Sequence, residues 1–277
     1  MTKKKTINTG GIPLEKFNKL SIQVNLNGLS FCILDTLSNK IIKADRLLFD
    51  KTQNPIELEN NLEALMKKHE LDKASFSEVI VVHSNGLFSF VPKSLFDEKE
   101  LANYLKLNAK LLANDHIAHD TLHNHDMINV YVPFVNINNY IFGLFGEFEY
   151  KHNATVLVEA LLNNSGTQKS PVCYVHVDNK QMDITVISKK KLLLHNSFEY
   201  TTKEDFMYYL LFTMEQLNLD TESIKLKLFG FVEEDDAIYR LCYDYVKDVS
   251  IFVPAIASYP MAELHQDTID FTIINAL

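Results

Sequence analysis

Glycine is scarce in this chain: eight occur in 277 residues, below half the usual frequency of about 7%. Apart from Gly10 and Gly11, no two stand together. Sites that cradle phosphates on bare backbone N–H groups concentrate glycine in their loops, so a glycine-rich nucleotide cradle is excluded. Basic residues are outnumbered, 27 Lys and Arg against 36 Asp and Glu, for a formal net charge of -9. That balance excludes a protein whose main work is gripping phosphate backbones, and no nucleic-acid partner is expected. The lysine runs Lys3–Lys5 and Lys189–Lys191 read as a solvated tail and a polar hairpin turn. No stretch approaches the roughly eighteen apolar residues of a membrane span. The start "MTKKKTINTGGIPLEKF" lacks the apolar segment of a secretory signal. Cys32, Cys173 and Cys242 lie far apart without CxxC spacing and read as buried reduced thiols of a cytoplasmic protein. No GxSxG pattern occurs, which leaves hydrolase chemistry without a nucleophile.

What is present is a repeated order of elements. "LSIQVNLNGLSFCILD", residues 20–35, reads as two strands joined at Asn27–Gly28 by a type I′ turn, for which Asn-Gly is the strongest signal. A third strand follows at 40–49. The segment "NPIELENNLEALMKKHEL" is a helix capped by Asn54, with Pro55 at its first position, Glu57 at capping-box spacing and an apolar face of Ile56, Leu62, Leu65 and Met66. "EVIVVHS", 78–84, has the continuous apolar character of a strand covered on both faces. From Val172 the same order returns: "VCYVHVDNKQMDITVIS", "KKKLLLHNSFEY", a helix in "TTKEDFMYYLLFTMEQLNL" with Thr201 and Glu204 at capping-box spacing and Phe206, Leu210, Met214 and Leu217 on its face, then a strand "SIKLKLFGF". The β-β-β-α-β unit is therefore written twice at an offset of about 150 residues, with Asn25 matched to Asp178 and Val79 to Leu226. "NNSGTQKS", 163–170, is the turn-rich stretch between the copies. It sets expected bounds of 1–19 for a flexible tail, 20–165 for a first lobe and 166–277 for a second.

Two such lobes resemble the plan of the actin, sugar-kinase and chaperone ATPase superfamily. The run "MINVYVPFVNINNYIFGLFGEFEYKHNATVLVEALL", 127–162, resembles an uncharacterised bacterial family that has an actin-like ATPase fold and no assigned activity. The resemblance implies an α/β, two-lobed actin-like fold of duplicated, ribonuclease H-like units with mixed sheets. Actin-like assembly proteins of type IV pilus and type II secretion machinery are similar in plan, which implies a protein partner by analogy of fold.

In active members of that superfamily each lobe contributes an Asp-x-Gly hairpin, whose carboxylates hold magnesium through water and whose bare turns wrap the phosphates. Here Asn25 stands where the first acid is implied and Asn27 where the glycine is. The second hairpin keeps Asp178 but follows it with Asn179, Lys180 and Gln181. Asp183, two residues into the next strand, is expected to face solvent. The paired glycines of the implied adenine turn reduce to Gly230 followed by Phe231, with Glu233, Glu234, Asp235 and Asp236 beyond, charges that favour a helix start and repel phosphate. A degenerate nucleotide cleft of Asn25, Asn27, Asp178, Lys180 and Gly230 is expected, with no catalytic residue and no cofactor. The alternative is an ATP-binding phosphotransferase or ATPase with an atypical site on Asp178, Lys180 and Asn25.

His116, His119, His123 and His125 lie in "DHIAHDTLHNHD", 115–126. Among them only 119 and 123 have the i, i+4 spacing of a helical ligand pair. A solvent-exposed hairpin tip is the expectation, and no metal. His152 in "FEYKHNATV" is read as a buried histidine bonded to backbone, with a binding role for Tyr150, Lys151 and His152 as the sharper reading. "SNG" at 84–86 is turn chemistry. The sequence as a whole reads as a non-catalytic actin-fold binding or assembly protein.

Overall fold

The computed structural model describes residues 17–106, 110–112, 115–166, 170–253 and 270–277. Most of the expected tail (1–16) and residues 167–169 of the expected boundary lie outside them. Strands β1 (Asn18–Asn25), β2 (Gly28–Asp35) and β3 (Lys40–Leu48) form an antiparallel meander; α1 (Pro55–Lys68) then crosses over to β4 (Glu78–Ser84), parallel to β1. β5 (Phe88–Pro92), α2 (Leu101–Leu105), β6 (Ala118–Leu122) and β7 (Met127–Tyr131) make a small insertion with its own three-stranded sheet. α3 (Val135–Phe145), β8 (Glu149–His152) and α4 (Asn153–Asn164) complete the first half, with β8 at the edge of a sheet ordered β3-β2-β1-β4-β8. The second half repeats the scheme: β9 (Val172–Asp178), β10 (Gln181–Ser188), β11 (Lys191–Glu199), α5 (Lys203–Gln216), β12 (Lys225–Gly230), α6 (Ala237–Tyr245) and β13 (Asp248–Ile251), in the order β11-β10-β9-β12-β13. α7 (Phe271–Asn275) ends the chain.

The two units correspond in detail. Both crossover helices have 14 residues. Leu20 pairs with Val79 as Cys173 pairs with Leu226. The register slips between Ile33 and Leu34 in one hairpin and between Val186 and Ile187 in the other, at positions that match when Asn25 is set on Asp178. A bulge bends a strand and sharpens its twist, so the two sheets curl alike.

Local chemistry explains the elements, with some corrections. The Asn54 side chain accepts from the Ile56 and Glu57 N–H groups at 3.0 Å and the Glu57 carboxylate accepts from Asn54 N–H at 3.0 Å, the expected capping box. In α5 the box sits one residue later than expected: Thr202 Oγ1 accepts from Asp205 N–H, and the Asp205 carboxylate accepts from Thr202 N–H. Ile56 was expected on the α1 face but is 73% exposed, and Leu58 takes its place. Leu58, Leu62, Leu65 and Met66 form one i, i+4, i+7, i+8 stripe, which Ile56 does not join.

The first hairpin turns at Leu26–Asn27, because Asn25 pairs with Gly28. None of residues 26 to 28 has a positive φ, so the expected type I′ turn is absent there. Gly28 serves a close approach instead: a Cβ would stand 2.9 Å from the Leu47 carbonyl oxygen of β3. Left-handed φ at both central residues occurs at Lys189 (51°) and Lys190 (61°) in the β10–β11 turn.

α1 and α3 cover one face of the first sheet and α5 and α6 one face of the second, each over an aliphatic core. Nine residues of α4 are buried, which fits a helix apolar on all sides: it packs on Ile80 and Val82 of the first sheet and against Tyr174, Ile187 and Phe229 of the second. α7 returns to the first half, where Ile273 and Ile274 pack on Cys32, Leu34 and Ile41. The three cysteines are buried and free, as expected. No helix among the described residues is long and apolar enough to cross a membrane.

Candidate functional site

The β1–β2 and β9–β10 turns face each other between the two sheets. Asn25 is buried, and its side-chain amide donates to Ser84 Oγ and to Gln181 Oε1 of the opposite hairpin, both at 3.0 Å, while its Oδ1 accepts from Asn27 N–H at 2.8 Å. Both donors and the acceptor are thus used. An aspartate in this place would bring acceptors only to Ser84 and Gln181. Gln181 is held in turn, its amide donating to Ser197 Oγ at 2.9 Å and to Asp183 Oδ1 at 3.3 Å.

Arg46 forms the second crossing. Its guanidinium donates to Asp178 Oδ1, and its Cζ lies 3.6 Å from the centroid of the Phe231 ring. A planar cation between a carboxylate and an aromatic face combines an ion pair with a cation–π contact. The side chains are 11% and 15% exposed, so water competes little. Burial pushes the Asp178 carboxyl above its ordinary range and Asp270 adds to this, while Arg46 pulls it back. Asp178 also accepts from Asn179 N–H at 2.5 Å.

Beneath the turns, His176 Nδ1 stands 3.3 Å from Asp183 Oδ2. Burial opposes a charge on His176, but Asp183, helped by Asp270 and Asp178, lifts it to about 9. Burial likewise opposes the Asp183 charge, and the hydrogen bond and charge of His176 outweigh it and lower the carboxyl. Asp183 was expected to face solvent and is 3% exposed. Seven of the eight β10 residues are buried, because the face that strand alternation assigns to water meets Asn153 at the start of α4. Gln23 ties α7 to the same floor, donating to Asp270 Oδ2 at 3.2 Å and accepting from Thr272 Oγ1.

Of the five residues expected at a nucleotide cleft, Asn25, Asn27 and Asp178 line one void together with Arg46. Lys180 is exposed at φ 58°, its carbonyl accepting from Tyr200 N–H, and is not brought to that void. Gly230 backs onto β9 at φ 91°, where a Cβ would lie 2.4 Å from the Val177 carbonyl oxygen. Sheet packing therefore accounts for that glycine. The void measures about 10 Å³, room for about one water. Sequence reasoning missed Arg46, and it took Gln181 and Phe231 only as departures from a glycine pattern, not as partners across the cleft. The available signal was rarity: Arg46 and Arg240 are the two arginines among 27 basic residues.

The other candidates resolve simply. His152 is buried, and its Nδ1 accepts from Ala154 N–H at 3.1 Å, as expected. His123 lies in the turn joining β6 to β7 and is exposed; no set of three or more metal-ligating side chains converges among the described residues. Asn85 closes its turn by accepting from Leu87 N–H at 2.8 Å.

A family model described as "Protein of unknown function (DUF3822)" matches residues 11–249. A Bacteroides thetaiotaomicron protein with actin-like ATPase fold and unknown function aligns with a TM-score of 0.78 at 22% identity, over 88% of this chain and 94% of that one. A chain of a PilM–PilN type IV pilus biogenesis complex aligns with a TM-score of 0.61 at 9% identity, over 88% and 90%. No curated protein matches by sequence. The chain belongs to the family of unknown function DUF3822, and its fold is the actin-like ATPase fold.

Proposed function

We propose that this DUF3822 member is a non-catalytic bacterial protein of the cytoplasm that acts by binding another protein, its nucleotide position degenerate and closed by its own side chains. One observation carries the reading: the guanidinium of Arg46, from the first sheet, occupies Asp178 of the second under the Phe231 ring. There it supplies from within the chain the positive charge that magnesium would bring. A carboxylate already paired with arginine does little to repay the dehydration of magnesium. Space favours the same reading, since a void of about 10 Å³ compares with the roughly 300–1,000 Å³ of ligand pockets. Binding to a partner draws support from a neighbour in fold, which comes from a complex of PilM with PilN. Three buried free thiols suit a reducing compartment.

Thermal unfolding with and without magnesium ATP tests this. A ligand at 100 times its dissociation constant would add about 2.7 kcal/mol, a shift of several degrees. The expected result is an unchanged melting temperature for the parent and for Asp178→Asn. A parent that gains those degrees, and loses the gain in Asp178→Asn, would overturn the reading and establish an ATP-binding enzyme with an atypical site.

A further inference from the structure

Two stretches remote in sequence, one around His119 to His123 and one from Phe148 to Lys151, meet at a pocket of about 340 Å³ on the first half of the chain. The volume lies in the range of sites that enclose a small group. One wall is aromatic: the Phe148 and Tyr150 rings lie 6.0 Å apart at 42°. Asp120 forms part of the lining, its carboxylate fixed by three donors, Tyr131 OH at 2.9 Å, His152 N–H at 2.8 Å and Thr155 Oγ1 at 2.6 Å. None of those donors carries a charge; burial raises the Asp120 carboxyl, and its three hydrogen bonds and the charge of Lys151 oppose that rise. Glu149 and Glu159 add carboxylates to the lining, against Lys151, which stands 3.9 Å from Glu149. With histidines neutral the lining carries a formal charge of -2, on a chain of -9.

The position adds a separate clue. β6 is an edge strand of the three-stranded sheet and β8 an edge strand of the first large sheet, and both contribute lining residues. Edge strands offer unpaired backbone groups to an extended segment. Carboxylates beside a planar aromatic wall suit a guanidinium, which stacks by its face and donates from its rim. We propose that this pocket receives an arginine side chain from an extended basic segment of a partner protein. The proposal rests on the reading above, that the chain works by binding another protein, and names the chemistry of that partner.

The test titrates the full chain with a short labelled peptide of alternating valine and arginine, and with the same peptide carrying neutral citrulline for arginine. The arginine peptide is expected to bind, and the citrulline peptide about tenfold or more weaker. Asp120→Asn is expected to weaken arginine-peptide binding by a similar factor. Because Asp120 also organises β8, the double variant Glu149→Gln with Glu159→Gln provides a milder perturbation of the rim with the same expectation. Glu222→Gln, on the second half, should bind as the parent does. Equal binding of the two peptides, parent-like binding by the rim variant, or no binding at all would overturn the assignment. Free arginine saturating the pocket at the peptide's affinity would also overturn it, in favour of a small-molecule site. A protein that binds no peptide and is not stabilised by magnesium ATP loses the pocket assignment alone; one stabilised by magnesium ATP loses the earlier reading whatever the peptide does.

Discussion

Replacing Arg46 by methionine isolates the contact that closes the cleft. The substitution keeps much of the stem but leaves Asp178 buried without its cation and Phe231 without its stacked partner. Breaking a buried pair from one side costs about 3–5 kcal/mol, and a partly desolvated cation–π contact about 1–2 kcal/mol. Two effects reduce the sum. The pair keeps 11% and 15% exposure, and Asp178, already raised by burial, can take up a proton instead of remaining charged. A net loss of about 2–4 kcal/mol at neutral pH is expected, read from urea unfolding. Proton uptake fixes the sign of the pH dependence: the folded variant has a carboxyl raised above its unfolded value, so the loss shrinks as pH falls and grows as it rises. The double variant Arg46→Met with Asp178→Leu should recover most of the loss, because removing both partners leaves no orphaned charge. Arg46→Met within about 0.5 kcal/mol of the parent at pH 8, a change typical of an inconsequential surface site, would refute the view that this pair holds the halves together.

Other outcomes follow from the same structure. Leu62→Ala and Leu210→Ala, both fully buried, should each cost about 2–5 kcal/mol in urea unfolding; losses under 1 kcal/mol would sink the assigned helix faces. Burial holds His83, His152 and His195 at about 4, 3 and 4, so the unfolded chain binds more protons below about pH 6.5 and each histidine removes up to about 1.4 kcal/mol per pH unit on acidification toward those values. His176, lifted to about 9 by Asp183, acts oppositely, its contribution complete below about pH 6.5 and lost as pH rises through 9; a urea midpoint flat from pH 7 to 5 would contradict the first effect. Gly230→Ala should destabilise by about 2 kcal/mol or more, since φ is 91° and Val177 O blocks the Cβ, whereas Gly143→Ala inside α3, with open space around it, should be neutral or stabilising by up to about 1 kcal/mol; calorimetry that ranks the two in reverse order would overturn both explanations.

What could be read in advance was whatever depends on a few neighbouring residues. Asn54, Pro55 and Glu57 announce a helix start because cap and box close within four residues. The meander and its parallel fourth strand follow from apolar runs of the right length, and their repetition makes each copy evidence for the other. The failures arise where distant chain decides. Asp183 looked outward by strand alternation, but α4 covers the face it sits on. The Asn27–Gly28 pair looked like a turn centre, but β3 lies close enough that position 28 must be bare. Arg46 carries no local signal, because its partners are 132 and 185 positions away.

The repeat gives these contacts a shared logic. The register that sets Asn25 on Asp178 also sets Gly28 on Gln181 and Ser30 on Asp183, and the β3 residue opposite Ser30 is Arg46 where the β11 residue opposite Asp183 is Ser197. Two facing aspartates at the first of these paired positions would repel, and a bound cation or a shared proton would be needed to hold them near one another. This chain removes the repulsion at both positions with its own side chains. At one position the acid is an amide, whose two donors are spent on Ser84 and on the glutamine across the cleft. At the other the acid remains, and the arginine that neutralises it comes from the opposite half. Each arrangement depends on the other half being close, so closure and neutralisation reinforce one another. A glycine at 181 could not reach Asn25. The scarcity of glycine accords with the proposed reading, in which side chains occupy the interface that a bound nucleotide would need.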